Sequence, residues 1–125
     1  MGELKTFFFD TYAFFEIIKA NQNYKNYVYP VAIITTRLNL MELHYGLLRM
    51  WGREKADRYY DRLLIYCIEI SDEDIKKANE FRAKYKERGL SYIDCVGYTI
   101  AKSHGVKFLT GDRQFQDLDN VEFVK

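Results

Sequence analysis

Four acidic side chains stand in contexts where their chemistry could matter. Asp10 closes the run Phe7-Phe8-Phe9-Asp10-Thr11, and Glu42 lies within Asn39-Leu40-Met41-Glu42-Leu43. Asp94 belongs to Ser91-Tyr92-Ile93-Asp94, and Asp112 follows Thr110-Gly111. Carboxylate oxygens are hard donors, matched to Mg²⁺ or Mn²⁺ rather than to softer metals. Such ions act on phosphate esters by binding the phosphate oxygens and by lowering the pKa of a bound water. Four carboxylates converging on one place therefore point to a metal-dependent nuclease.

Convergence depends on the elements that carry these residues. Residues 5–9 read as a strand buried on both faces, because the apolar run has no alternation. Residues 11–21 read as a helix with Phe14, Ile17 and Ile18 at helical spacing, and Asn21 to Tyr29 as a polar, tyrosine-rich loop or short irregular helix. The β-branched run Val31 to Thr35 is a second strand. A long helix is predicted over 37–51, and Gly52 separates it from another over 53–65. Residues 66–70 have the partial alternation of a third, more exposed strand. The pattern Ser71-x-x-Asp74 is a capping-box start for a helix carried by Ile75, Ala78, Phe81 and Tyr85 and stopped by Gly89. Ser91 opens the next helix, which runs to about His104 before Gly105, and residues 106–109 and 121–124 are strands. Strands alternating with helices give an α/β sandwich around a mostly parallel sheet. In such sheets ligands bind beyond the carboxyl ends of the strands, where Asp10 and the Thr110-Gly111-Asp112 turn fall.

Each carboxylate also has a plainer use. Aspartate between a strand and a helix is a preferred N-cap, which would account for Asp10. Ser91-x-x-Asp94 repeats the Ser71-x-x-Asp74 capping pattern, although Asp94 is followed by Gly97 and Ala101, small residues that allow close helix approach. Thr-Gly-Asp after a strand is ordinary turn chemistry. Glu42 is harder to explain away: leucines flank it on both sides, so its carboxylate is at least partly buried, and an unpaired buried charge is costly. Arg49 or His44 could pair with it in a purely structural account.

Composition bounds the rest. The 125 residues suit a single domain spanning 1–125, with 48% hydrophobic and 30% charged residues. Aromatics reach 17%, with 11 Tyr and 9 Phe, mostly as core and rim packing. The net charge of +1 gives no global attraction to nucleic acid, but 19 basic residues outnumber the acidic ones once the four candidate ligands are set aside. Cys67 and Cys95 read as buried free thiols. No signal peptide, membrane span or lipidation motif is evident, so the expected location is cytoplasmic.

With these residues in view, the chain resembles a PIN domain, and specifically the small single-domain toxins of bacterial and archaeal VapBC systems. Phe9-Asp10-Thr11 resembles the opening strand and first aspartate, and Asn39-Leu40-Met41-Glu42-Leu43-x-x-Gly46 the helix carrying the glutamate. Ser91-Tyr92-Ile93-Asp94-Cys95 through Ala101, then Phe108-Leu109-Thr110-Gly111-Asp112-x-x-Phe115, resemble the two-aspartate C-terminal half. Tyr12 departs from the family, whose toxins often carry Ser or Asn there. The resemblance implies a three-layer α/β/α sandwich with a mostly parallel central sheet. It implies that Asp10, Glu42, Asp94 and Asp112 form an acidic site for one or two Mg²⁺ ions, with Mn²⁺ as a substitute. It also implies a ribonuclease, a homodimer and a cognate antitoxin protein.

Around that site, the hydroxyls of Thr11, Thr110 and Ser91 are candidates for orienting the carboxylates. Arg37, Arg49, Arg53 and Arg113 are candidates for contact with RNA phosphates, with solvated surface as the alternative for each. Tyr24, Tyr27 and Tyr29 could stack on RNA bases, cover a partner surface or fold onto the core. Asp117 reads as surface. His44 and His104 offer a rival metal-free acid–base mechanism, but His44, two residues from Glu42, falls on a different helical face, and His104 at a helix end is ordinary dipole chemistry. A phosphate-accepting receiver domain would need an acidic pair after the first strand, and an aspartate-based phosphatase a second Asp where Tyr12 stands. The remaining alternative is a catalytically silent PIN-like module that binds RNA or protein, and the four intact carboxylates argue against it.

Overall fold

Phe7, Phe8 and Phe9 point alternately to the two faces of a sheet, and that alternation organises the molecule. In the computed structural model, which describes residues 4–125, β1 (Lys5–Phe9) lies inside a four-stranded sheet. Its companions are β2 (Val31–Ile34), β3 (Lys107–Thr110) and β4 (Val121–Phe123), in the order β2-β1-β3-β4. Every pairing is parallel, with Phe8 opposite Ile34 on one side and Phe108 on the other. Both central strands are therefore covered on both faces, which is why they read as unbroken apolar runs.

One face packs against α1 (Thr11–Ile18), α2 (Arg37–Trp51) and α3 (Arg53–Leu63). Phe7, Phe9 and Leu109 meet Phe14, Leu40, Leu43, Leu47 and Ala56 there. The other face carries α4 (Asp72–Lys84) and α5 (Tyr92–Ser103), where Phe8, Phe108 and Phe115 pack against Ala78, Cys95, Ile100 and Ala101. This is a three-layer α/β/α sandwich. Gly97 brings α5 close to the sheet: a Cβ there would lie 2.9 Å from Phe8 Cε1 and 3.1 Å from Phe108 Cε1.

Four sequence readings need correction. Residues 66–70 form no strand; Thr35 and Cys67 make a lone parallel bridge, closed by Thr35 N–H to Tyr66 O (3.0 Å) and Ile68 N–H to Thr35 O (2.9 Å). β2 has already ended at Ile34, so the passing chain finds one residue to pair with before it leaves the sheet edge. α1 stops at Ile18 rather than near residue 21, because Ala20 takes a positive φ of 62° and the Asn21 side chain caps a 3-10 turn over Gln22–Tyr27. α3 ends at Leu63, two residues before the expected 65, and a 3-10 turn over Leu64–Tyr66 takes up the chain. α4 ends at Lys84, and Gly89 closes the 3-10 turn Lys86–Arg88 that follows, at φ 66°. Cys67 and Cys95 are free thiols, and only Cys95 is fully buried. No helix among the described residues is long and apolar enough to cross a membrane.

Candidate active site

The sheet order places the carbonyl ends of β1 and β3 side by side, with their following connections departing to opposite layers. A crevice opens there by topology alone. Asp10 leaves β1 at this point. Its N–H donates to Leu109 O at 3.1 Å, so its backbone continues the β1–β3 ladder by one residue. Although Asp10 occupies the N-cap position of α1, its side chain makes no cap bond. The carboxylate turns toward the crevice, where Oδ2 accepts from Thr110 Oγ1 at 2.7 Å. Capping therefore does not explain Asp10.

Thr110 serves a second carboxylate as well. Its single hydroxyl proton goes to Asp10, so toward Asp112 it is an acceptor, taking the Asp112 N–H at 3.1 Å. Asp112 then caps the 3-10 turn Arg113–Phe115, its Oδ1 accepting from Gln114 N–H at 3.0 Å. Asp94 also has two uses. Its Oδ2 accepts from Ser91 N–H at 3.0 Å while Ser91 Oγ accepts from Asp94 N–H at 3.1 Å, a complete capping box. Oδ1 of Asp94 has no hydrogen bond among the described residues.

Glu42 is positioned from one turn earlier on α2. Asn39 is fully buried and ties three segments together. Its Nδ2 donates to Thr11 Oγ1 at 3.2 Å, and its Oδ1 accepts from Thr36 Oγ1 at 2.7 Å. Residues three apart share a helix face, so this network fixes the direction in which Glu42 points. Glu42 itself makes no hydrogen bond or ion pair among the described residues. The role of Asn39 escaped the sequence reading, although Thr36-x-x-Asn39 between leucines was the signal available for it.

Asp10, Glu42, Asp94 and Asp112 all line one open pocket of about 410 Å³, together with Thr11 and Ser91. Tyr12, Phe15, Gly89 and Gln114 complete the wall; of these the sequence singles out only Tyr12, as a departure that would alter substrate positioning. Burial and the neighbouring Asp94 carboxylate push the Asp10 carboxyl up to about 8, against the lowering effect of the Thr110 hydroxyl. Burial also raises the Asp94 carboxyl, opposed by the Ser91 bonds and reinforced by Glu42 and Asp112. No Lys, Arg or His among the described residues lines this wall. No three His, Cys, Asp or Glu side chains among the described residues are grouped tightly enough to grip an ion directly.

The other candidates lie elsewhere. Arg37 is exposed, 3.8 Å from Glu69, and borders a separate groove between α2 and α3 with His44 and Asp57. Arg49 lies over the Tyr45 ring at 5.8 Å, two helical turns beyond Glu42. Arg53 pairs with Asp57, and Arg113 is exposed on the turn after Asp112. His44 is 2.7 Å from Asp57, and His104 caps the C-terminus of α5. Neither histidine reaches the carboxylates. Asp117 is a surface residue in a bidentate pair with Arg88, at 2.8 Å for each bond. Of the tyrosines, Tyr24 is buried and Tyr27 donates to Glu122 Oε2 at 2.6 Å, whereas Tyr29 is 82% exposed.

Comparison with known proteins agrees with this fold. The family model described as PIN domain matches residues 7–121. No match was found among curated proteins. Among solved structures, the chain is similar to the Mycobacterium tuberculosis toxin VapC20, described as cleaving the sarcin-ricin loop, with a TM-score of 0.78, 18% identity, and 95% of this chain and 99% of that one covered. It is also similar to a chain of the DNA-bound VapBC complex of Salmonella typhimurium (TM-score 0.73, 19% identity, 97% of each chain). A third is from the Rickettsia felis VapBC2 complex with a promoter DNA fragment (TM-score 0.72, 20% identity, 96% and 99% covered). At these identities the likeness is one of fold.

Proposed function

The chain belongs to the PIN domain family, and from that premise we propose that it is a divalent-metal-dependent endoribonuclease, the toxin of a toxin–antitoxin pair. One observation carries the proposal: four carboxylates line a single pocket whose wall holds no cationic side chain among the described residues. An all-oxygen, negatively charged donor set fits Mg²⁺ or Mn²⁺. The buried Asp10 keeps a proton well above the usual carboxylate range unless a cation takes the proton's place. A hard ion that retains several waters can be held by carboxylates that do not all touch it.

Asp10 and Asp94 would hold the ion, with Glu42 and Asp112 completing the site directly or through waters. When bound, the ion supplies an acidified water and draws off phosphate charge. The chain's own residues do the positioning. Thr110 fixes the Asp10 carboxylate and the Asp112 backbone together. The Ser91 cap holds Oδ2 of Asp94 and leaves Oδ1 for the pocket. Asn39 and Thr11 orient the face of α2 that bears Glu42. Tyr12 and Phe15 give one wall an aromatic surface beside the acid groups, suited to a nucleotide.

The RNA substrate, the cytoplasmic location, the homodimer and the antitoxin partner belong to the same proposal. They draw support from the VapBC complexes that share the fold. α2 leaves Met41, Tyr45 and Leu48 exposed at helical spacing, a stripe of the kind that protein partners cover. The test is cleavage of an end-labelled structured RNA with Mg²⁺ or Mn²⁺ titrated and then chelated. Cutting is expected only with the ion, and Glu42→Gln should lower it by at least about tenfold. Cutting that survives chelation contradicts the reading. Ion binding without cutting of any RNA favours a silent RNA-binding module instead.

A further inference from the structure

Two connections face each other across the acidic pocket. The segment between α4 and α5 carries Gly89 and Ser91 and delivers Asp94, and the segment after β3 carries Asp112 and Gln114. Asp94 and Asp112 line the pocket from these two connections. The side chain of Arg88 bridges them.

Arg88 immediately precedes Gly89. Its Nη1 donates to the Gln114 carbonyl at 2.6 Å and to Asp117 Oδ1 at 2.8 Å, and its Nη2 donates to Asp117 Oδ2 at 2.8 Å. The guanidinium lies 5.0 Å from the centre of the Tyr85 ring, so its plane is supported from α4. Its side chain is only 27% exposed, unlike the solvated ends of most surface arginines. At the pocket end these are the only side-chain hydrogen bonds joining the two connections among the described residues. They lead directly to a carboxylate, because the residue whose carbonyl Arg88 grips also donates its N–H to Asp112 Oδ1.

We propose that Arg88 is a positioning residue of the acidic site, clamping the Asp112 turn to the loop that leads into Asp94 so that the two carboxylates face one bound ion. It touches neither the pocket nor the substrate. Asp117 is the other jaw: its carboxylate holds the guanidinium plane at the angle from which Nη1 reaches Gln114. Lysine cannot replace this fork, because an ammonium group is a point donor and cannot span two oxygens and a carbonyl in one plane. The proposal rests on the metal-site reading of the pocket, and its test separates the two.

The experiment compares wild type with Arg88→Ala, Arg88→Lys, Asp117→Asn and the exchanged pair R88D/D117R by two readouts. The first is hydrogen exchange at the Gln114 amide, with the Phe8 amide as a core reference. The second is calorimetric titration with Mn²⁺ alone. Arg88→Ala should speed exchange at Gln114 by at least about tenfold and leave Phe8 unchanged. It should weaken Mn²⁺ binding by roughly 10–100-fold, the range seen when groups that orient metal ligands are removed. Arg88→Lys should resemble Arg88→Ala, and Asp117→Asn should fall between it and wild type. The exchanged pair should recover part of both losses. Unchanged exchange at Gln114 in Arg88→Ala overturns the clamp. So does faster exchange with full Mn²⁺ affinity, which reduces Arg88 to loop packing. Wild type that binds no Mn²⁺ at millimolar concentration overturns the metal-site reading and with it the positioning role. The exchange data would then show only whether the structural link exists.

Discussion

Thr110 sets two of the four carboxylates, donating its only proton to Asp10 and accepting from the Asp112 amide. Thr110→Val keeps the shape and removes both bonds, so Mn²⁺ affinity and RNA cleavage should each fall by roughly 10–100-fold, as titration and initial rates would show. Thr110→Ser should recover most of the loss. Asn39 is the corresponding anchor for Glu42, and Asn39→Ala leaves the Thr36 and Thr11 hydroxyls short of partners. A loss of about 1–3 kcal/mol in urea unfolding is expected, the cost of unsatisfied buried polar groups. Legibility at this scale was uneven. The four acids are visible in the sequence because Glu42 sits among leucines, Asp10 and Asp112 follow apolar runs, and Asp94 opens a helix with small residues behind it. Whether each was a cap or a site residue was not visible, because that depends on where the carboxylate points. Asp94 and Asp112 turned out to be caps that also line the pocket, and Asp10 lines it without capping. The role of Asn39 is not legible because its amide reaches Thr11 on a separate element, α1.

At the scale of elements, the pocket depends on how closely α5 approaches the sheet, since its first turn carries Asp94. Gly97→Ala places a methyl group 2.9 Å from the Phe8 ring and 3.1 Å from the Phe108 ring, and both rings are buried without room to retreat. Overpacking of this kind costs about 1–3 kcal/mol, to be read from the denaturation midpoint. Because α5 must shift outward, Mn²⁺ affinity should fall as well, whereas a change confined to stability would show that the helix tilts about its first turn. The central strands and the five helices were legible from period and capping pattern, because burial on both faces leaves an unbroken apolar run. The strand expected over 66–70 was not real, because strand pairing needs a neighbour. β2 ends too soon to supply more than the single bridge from Thr35 to Cys67. Sequence alternation records the exposure of a segment, not whether another edge lies beside it.

For the molecule as a whole, the acidic pocket links stability to pH. The Asp10 and Asp94 carboxyls are both raised by burial, so the folded protein binds more protons than the unfolded chain across the window from the ordinary carboxylate range to about 8. The stability contributed by these two groups is therefore fully present below that window and is lost as pH rises through it. Metal-free protein should melt at a lower temperature at pH 8.5 than at pH 5.5, and saturating Mn²⁺ should shrink that difference, since the ion takes the place of the protons. A pH-independent melting temperature without metal would show that the carboxylates are not dehydrated in solution. The trade between site and stability that this implies is tested most directly with Asp10→Asn, measured for melting and for RNA cleavage in the same preparation at pH 8. The amide keeps the size of the side chain and removes the charge. The expected result is a metal-free protein that melts at least about 4 °C above wild type, gains no stability from Mn²⁺ and no longer cuts RNA. Asp10→Asn protein that cuts RNA at the wild-type rate with the same dependence on Mn²⁺ would contradict the metal-site account.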